Sequence, residues 1–420
     1  MIKRFSIIVA LLFTVLMAAQ EGTSSPYSYY GICLTKFKGT VENQSMGGLM
    51  VFSDSIHVNL RNPASYGKLK LTTFAVGGSH QRSQLNSAQG DESSSTTSFD
   101  YLAIGIPTGK LNFGLGLIPY TSVGYRILDI NNEASNRFTG RGGMNKVYLT
   151  TAYAFTDALS IGVDLNYNFG NIQNNFTVFQ DEIQYGTRQI NRTDFSGFNL
   201  NFGVDYQAKL NDKLRLHTAA VYSPAMDINT EGMRSTTPVI FNPDGVDQIP
   251  SGYQPTIVNL PGSKMTLPAQ LSLGAGLGMP HKWFLGAEYT NLQAAEYNLI
   301  SGLSNLDHRY EAAGQYKIGG YYIPQYNSLT SYLKRVVYRG GLRYEESGLY
   351  LNNEAIDEFG ISFGLGLPAG NNFSNLNIGF EYGQRGTANS GLIKENFFKL
   401  SLSLSLNEKW FVRSRFDYPQ

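Results

Sequence analysis

The run Leu159-Ser-Ile-Gly-Val-Asp-Leu-Asn-Tyr-Asn-Phe-Gly170 alternates without a break. Leu159, Ile161, Val163, Leu165, Tyr167 and Phe169 share one face, and Ser160, Gly162, Asp164, Asn166, Asn168 and Gly170 share the other. A period of two belongs to a β-strand with unlike faces. Phe198–Ala208 repeats it, as do Leu400–Asn407, Ile361–Leu367 and Leu376–Gly383. A soluble sandwich also alternates. Two details separate this chain from one. The runs extend to about 10–12 residues, the length of a tilted membrane-spanning strand, where soluble strands average about 5–6. The polar face carries small uncharged groups with few Lys or Glu, which suits a crowded interior better than open water.

Composition agrees. Among 420 residues, 15% are charged, there are 27 Tyr, 25 Phe and 45 Gly, and the net charge is +1. Ordinary globular chains carry about 25% charged residues. A nucleic-acid binder would show a basic excess, and the mean hydropathy of −0.20 is too low for a bundle of membrane helices. One cysteine, Cys33, rules out an intrachain disulfide framework and a Cys-rich zinc site. The expected class is all-β: a transmembrane antiparallel β-barrel.

Lys3 and Arg4 precede an apolar run from Phe5 to Ala19. That is a charged n-region and an h-region too short for a spanning helix, so residues 1–19 read as a signal peptide, the alternative being an N-terminal anchor. Cys33, in Tyr30-Gly-Ile-Cys33, lies too far along for a lipid-anchored front end. An exported barrel belongs in the cell outer membrane.

Strands are expected near 69–80, 97–107, 109–119, 146–155, 158–169, 195–208, 213–223, 268–278, 282–292, 331–345, 348–353, 357–367, 373–384 and 395–406. That makes about fourteen, and single-chain outer-membrane barrels have even counts. Tight turns fall at Pro107–Gly109, Thr156–Ala158, Asn211–Asp212, Pro280–Lys282 and Ala369–Asn372. Long loops are expected at 81–96, 120–145, 170–194, 224–267 and 293–330. Short periplasmic turns and long external loops are the usual asymmetry. The barrel then spans 69–406, and 407–420 is a tail or an extra strand. Around 346–357 the eleventh strand is very short and its loop nearly absent.

Residues 20–68 do not alternate. A lumen of fourteen strands has room for them, so an N-terminal plug, or hatch, is expected. The other placement is a disordered periplasmic tail, which the apolar Met46, Leu49, Met50, Val51, Phe52 and Ile56 disfavour.

Ser25-Pro-Tyr-Ser-Tyr-Tyr-Gly31, Met46-Gly-Gly48 and Asn62-Pro-Ala-Ser-Tyr66, followed by Gly114-Leu-Gly-Leu-Ile-Pro-Tyr120, Leu267-Pro268 and Phe363-Gly-Leu-Gly-Leu-Pro368, resemble the FadL/TodX family of outer-membrane transport proteins. The resemblance implies fourteen strands, an N-terminal hatch and uptake of long-chain fatty acids or aromatic hydrocarbons. It implies lateral release through a wall gap where the third strand kinks. It places the hatch Asn-Pro-Ala on Asn62, Pro63 and Ala64. The short eleventh strand and the residues past the last strand depart from the family, so its external-loop contacts do not carry over.

Proline in a strand is confined to edges, ends and bulges. Pro119, with Gly114 and Gly116 before it, therefore marks an expected lateral-opening kink; the alternative is that the strand ends at Ile118. Tyr316 and Tyr322, in a Tyr-rich loop, are candidates for first capture of an apolar ligand, or else part of an interface girdle or a self-packing loop. Arg339 and Arg343 share one face of a strand and must face the lumen. Either could hold a fatty carboxylate bidentately, or pair with Asp164, Asp205 or Glu381.

Gly274-Ala-Gly-Leu-Gly278 mimics a phosphate loop but sits on an alternating strand with no helix after it. The five histidines show no metal-ligand spacing, and no nucleophile–base set is visible. No enzyme, cofactor or metal is expected. The expected partners are hydrophobic small molecules with surrounding outer-membrane lipid and lipopolysaccharide, with no nucleic acid, and the protein is expected to be a monomer. A second function, from another class, is an interaction or shuttle barrel of a secretion system that holds exported proteins through its loops. A third, an open general porin, is disfavoured by the plug.

Overall fold

The computed structural model describes residues 23–30, 34–130, 134–180, 182–240, 247–294, 308–369 and 374–410. The signal peptide reading and Cys33 lie outside the described residues, as do the last ten residues of the expected tail.

Antiparallel strands close into one ring of fourteen. The first six are β1 (Thr72–Ser87), β2 (Gly90–Pro107), β3 (Leu111–Pro119 continuing as Thr121–Ile130), β4 (Ala134–Ala154), β5 (Leu159–Gln180) and β6 (Gly186–Lys209). Then come β7 (Arg215–Ser223 with Met226–Val239), β8 (Thr256–Leu267 with Gln270–Met279), β9 (Trp283–Leu292) and β10 (His308–Tyr310 with Ala313–Tyr322). The last four are β11 (Val337–Leu351), β12 (Glu354–Ala369), β13 (Ser374–Arg385) and β14 (Lys394–Glu408). Each pairs with its sequence neighbours, and β14 closes on β1 from Lys394↔Asn86 to Glu408↔Thr72. Ring closure satisfies the backbone groups that a sheet edge would otherwise expose to lipid, which lets strands cross a bilayer.

The alternation explains both faces. On β5, Ile161, Val163 and Leu165 are exposed outward, while Ser160, Asp164, Asn166 and Asn168 are buried inward. Leu115, Leu149, Leu273, Leu285, Ile318 and Leu342 continue the outer apolar surface. It is bordered by tyrosines. Tyr289, Tyr316 and Tyr344 lie in one cross-strand row; Tyr322 and Tyr338 lie in another with Trp283. Six residues separate the two rows on β10, roughly 20 Å of strand, close to the height of an outer-membrane apolar band.

The count of fourteen is reached differently from the sequence expectation. The two strands expected at 331–345 and 348–353 are replaced by one, β11 (Val337–Leu351), and the missing strand is β10, inside the segment expected as loop 293–330. Glu345-Glu-Ser-Gly348 looks like a turn, but the register slips there between Glu346 and Tyr350, with Gly348 at φ 73°: a bulge in a continuing strand. The actual turn is Asn352-Asn353, both at positive φ, the conformation of a tight hairpin. The expected loops 81–96, 120–145, 170–194 and 224–267 are mostly strand as well. Beyond the apolar band both faces meet water, so Gly90–Thr97 keeps its ladder to β1 while losing apolar alternation.

Residues 23–30 and 34–71 pack against wall residues, as at Gly47 against Gly341 and Pro63 against Gly162. They hold one α-helical turn, α1 (Val41–Gln44), capped by the Thr40 side chain, and two 3-10 turns, Pro26–Tyr29 and Pro63–Lys68, the second capped by Asn62.

Candidate functional site

Wall glycines seat the N-terminal segment. A Cβ at Gly341 would lie 2.2 Å from the Gly47 nitrogen, one at Gly319 2.3 Å from the Met46 oxygen, and one at Gly364 2.2 Å from Ser45 Oγ. Asn62, Pro63 and Ala64 press against Gly203 and Gly162 in the same manner. Asn62 Oδ1 accepts from Ala64 N at 3.0 Å, and the Ala64 carbonyl accepts from Ser160 Oγ at 2.9 Å.

Charge pairs tie the same segment to the wall. Lys38 Nζ lies 2.6 Å from both Glu345 and Glu358. Glu358 also receives Arg343 and Arg385, and Arg385 reaches Glu395, which accepts from Ser25 Oγ at 2.6 Å. Two strands away from Glu345, on β9, Glu288 takes Arg61 at 2.8 Å, Lys317 at 3.2 Å and the Met50 N–H at 2.6 Å. These buried carboxylates are satisfied from several sides, the condition for keeping charge out of water.

Asp54 Oδ2 and His57 Nδ1 meet at 2.7 Å near the short-turn end. Burial alone would lower His57 and raise Asp54. Their mutual attraction and hydrogen bond prevail, so His57 is raised and Asp54 lowered from their ordinary values.

The wall is interrupted between β2 and β3. Their ladder runs from Pro107↔Asn112 to Leu102↔Leu117 and stops. Past that point, among the wall strands, β2 pairs only with β1 and β3 only with β4. Pro119 ends the first half of β3, still opposite Asn145 of β4. Gly114 and Gly116, expected as part of the break, pair on both sides within intact ladder. They face inward, and a Cβ there would strike Tyr66 and Tyr148; their role is clearance, not loosening.

The interruption is spanned from within. Leu34–Thr35 pairs with Ser122 and Thr121 of β3, and Lys36 N–H donates to the Tyr120 carbonyl at 3.0 Å. Lys36 Nζ reaches across to the Phe99 carbonyl of β2 at 2.9 Å, with Asp100 at 3.6 Å. Ser24 meets Ser94 of β2 at 2.8 Å, and Ser28 Oγ accepts from Gly124 N–H of β3 at 3.1 Å. Burial lowers the Lys36 ammonium against the pull of Asp100.

At the short-turn end the ring opens into a cavity of about 1750 Å³. Its floor is aromatic: Phe52 lies 4.9 Å from Phe284 and 5.1 Å from Tyr321, ring to ring. Arg339 stands beside Tyr321 in the next strand.

The other expected residues sort as follows. Arg343 pairs with Glu358 and Glu381. Arg339 donates to Asn377 Oδ1 at 3.0 Å and has no carboxylate within 4 Å among the described residues. Tyr316 and Tyr322 do not lie in a loop; they stand on β10, exposed on the outer surface. Lys36, Lys38, Arg61 and Glu288 were not visible as site residues in the sequence. The doublets Gly319-Gly320 and Gly340-Gly341 are the signal that could have located the seat, since glycine in a strand often marks close backbone approach.

A family model described as BamG matches residues 1–417. No curated protein matches the chain. Among solved structures, the Pseudomonas putida toluene transporter TodX is similar, with a TM-score of 0.54 at 15% identity over 88% of this chain and 98% of that one. A TodX deltaS2S3 mutant monoaromatic hydrocarbon channel gives 0.52 at 14% identity, over 87% and 98%. At such identities the likeness establishes the fold: a closed fourteen-strand barrel of the TodX kind.

Proposed function

The chain belongs to the BamG family, and from its geometry we propose that it is an outer-membrane barrel passing hydrophobic small molecules, gated by residues 20–68 as a hatch. The outer apolar band between two aromatic rows supports the membrane placement. TodX, whose fold it shares, is described as a toluene transporter.

The observation that carries the reading is the ladder lost between β2 and β3 beyond Leu102↔Leu117. Sideways release moves an apolar ligand from protein into lipid and avoids water, where each exposed CH₂ costs about 0.8 kcal/mol. Residues 24–30 and 34–36 are the shutter and Pro119 the hinge of the opening, with Asn62, Pro63 and Ala64 anchoring the segment further along. The test is uptake of a fluorescent fatty acid and of toluene by liposomes carrying the protein, in a Cys33→Ser background. A Ser24→Cys, Ser94→Cys disulfide should abolish uptake and reduction should restore it. Equal uptake by locked and unlocked protein removes the gate.

A second reading is an interaction barrel. Two observations favour it. The space just inside the gap is small, about 50 Å³, and polar, with Lys36, Lys38, Ser98, Ser122 and Lys399 around it. The projecting parts of β7 and β8 expose Tyr253, Ile257 and Val258. Native mass spectrometry from mild detergent separates the two: a retained lipid-like ligand supports transport, and a retained protein supports the partner role.

A further inference from the structure

The cavity at the short-turn end is strongly one-sided in charge, although the chain is balanced overall at +1. Seven Lys and Arg line it, against the acidic Glu42, Asp54 and Asp157. Two of those acids are engaged: Asp54 with His57, and Glu42 with Asn377 Nδ2 at 2.7 Å. Among the cations, Lys68 approaches Asp205 at 3.8 Å. The other six, Lys70, Lys110, Lys209, Arg215, Arg335 and Arg339, have no carboxylate within 4 Å among the described residues.

Their distribution matters as much as their number. Lys70 comes from the N-terminal segment, Lys110 from the β2–β3 turn, Lys209 and Arg215 from the β6–β7 end, and Arg335 and Arg339 from the start of β11. The cations thus stand at separate positions around the mouth, over a floor of Phe52, Phe284 and Tyr321. A small anion would touch one or two of them. An extended chain with several carboxylates could touch most, and its apolar side chains could lie on the rings. Potentials of opposite sign across an interface steer encounter and set register.

We propose that this cup is a docking site for an acidic, extended segment of a periplasmic protein, with Arg215 and Arg339 as its principal anchors. The periplasmic source rests on the outer-membrane barrel proposed above, with its short turns facing the periplasm as is usual for such barrels; the binding itself does not.

The test uses the full chain in detergent micelles and a fluorescein-labelled decapeptide of Asp and Glu around one Phe, read by anisotropy. Binding should weaken about tenfold between low and moderate salt, as exposed charge contacts are screened. Arg215→Gln with Arg339→Gln should weaken it about tenfold or more. Because Arg339 also holds Asn377, Lys110→Gln with Lys209→Gln, at exposed positions, is the second variant and should weaken it severalfold. Lys264→Gln, on the opposite rim, should change nothing. Four results overturn the proposal: no binding of the acidic peptide, equal binding of a Lys-rich one, full displacement by millimolar phosphate or free glutamate, or full displacement by phosphatidylglycerol vesicles. None of these depends on transport, so a failure here leaves the channel reading standing, and a failure of uptake leaves this site standing.

Discussion

Lys36 Nζ donates to the carbonyl of Phe99 while the Lys36 backbone N–H donates to the carbonyl of Tyr120, so one residue bridges two strands just beyond the point where their own ladder stops at Leu102↔Leu117. β2 and β3 are joined here by a residue from outside the wall.

Lys36→Ala should loosen that bridge without unfolding the ring, whose ladders it does not enter. A charge-assisted hydrogen bond is worth about 1.5–3 kcal/mol, so the open state should gain roughly tenfold or more. Hydrogen exchange at Thr35, Lys36 and Ser122 should accelerate, and exchange in β12–β14 should not. Unchanged exchange at these amides would show that Lys36 does not fasten the gap.

Gly341→Ala and Gly340→Ala form a matched pair one residue apart. A methyl at Gly341 meets the Gly47 backbone, and one at Gly340 meets only atoms 3.9–4.0 Å away. Overpacking costs about 1–3 kcal/mol. The first variant should make residues 23–71 more sensitive to protease and lower the thermal midpoint; the second should behave as the native chain. Equal behaviour of the two would mean the segment does not rest on this lane.

Glu288→Ala should be among the most damaging single changes. It strands Lys317 and Arg61 in a buried site and removes the acceptor of the Met50 N–H. Breaking a buried ion pair costs about 3–5 kcal/mol. Denaturant midpoints measure it, and a loss below 1 kcal/mol would contradict the buried triad.

The Asp54–His57 pair predicts a pH window. The raised His57 value contributes stability that is full below about 6.5, the unfolded value, and is lost as pH rises through the folded value. The lowered Asp54 value contributes stability present above about 3.9, lost as pH falls through its folded value. Native protein should therefore lose stability, relative to His57→Gln, on going from pH 6 to mildly alkaline conditions. Parallel profiles for the two proteins would show that the pair does not form.

The barrel was legible because lipid and a polar lumen impose opposite demands on successive residues, and Leu159–Gly170 obeys both. β10 escaped notice because both of its faces carry tyrosine or glycine, and its inward Lys317 is paired with Glu288 directly opposite on β9, a register the sequence alone does not display. Proline's missing donor is legible in the residue itself, and the β2–β3 ladder stops two residues before Pro119. The extent of the break was not legible, since an open edge is a property of two strands. Lys38, Arg61 and Glu288 were invisible because a lone charge in a sequence does not reveal its partner across a lumen.

Gly341, Gly319 and Gly364 leave no space for even a methyl group between wall and contents. Ring closure and docking of the chain's front end must then be won together. A cylinder sealed at the Lys394–Asn86 seam while still hollow would leave Glu288, Glu345 and Glu358 without the ammonium and guanidinium groups of Lys38 and Arg61. The opening residues thus serve as a mandrel around which the sheet is rolled, and their truncation is expected to impair biogenesis before it alters any permeability.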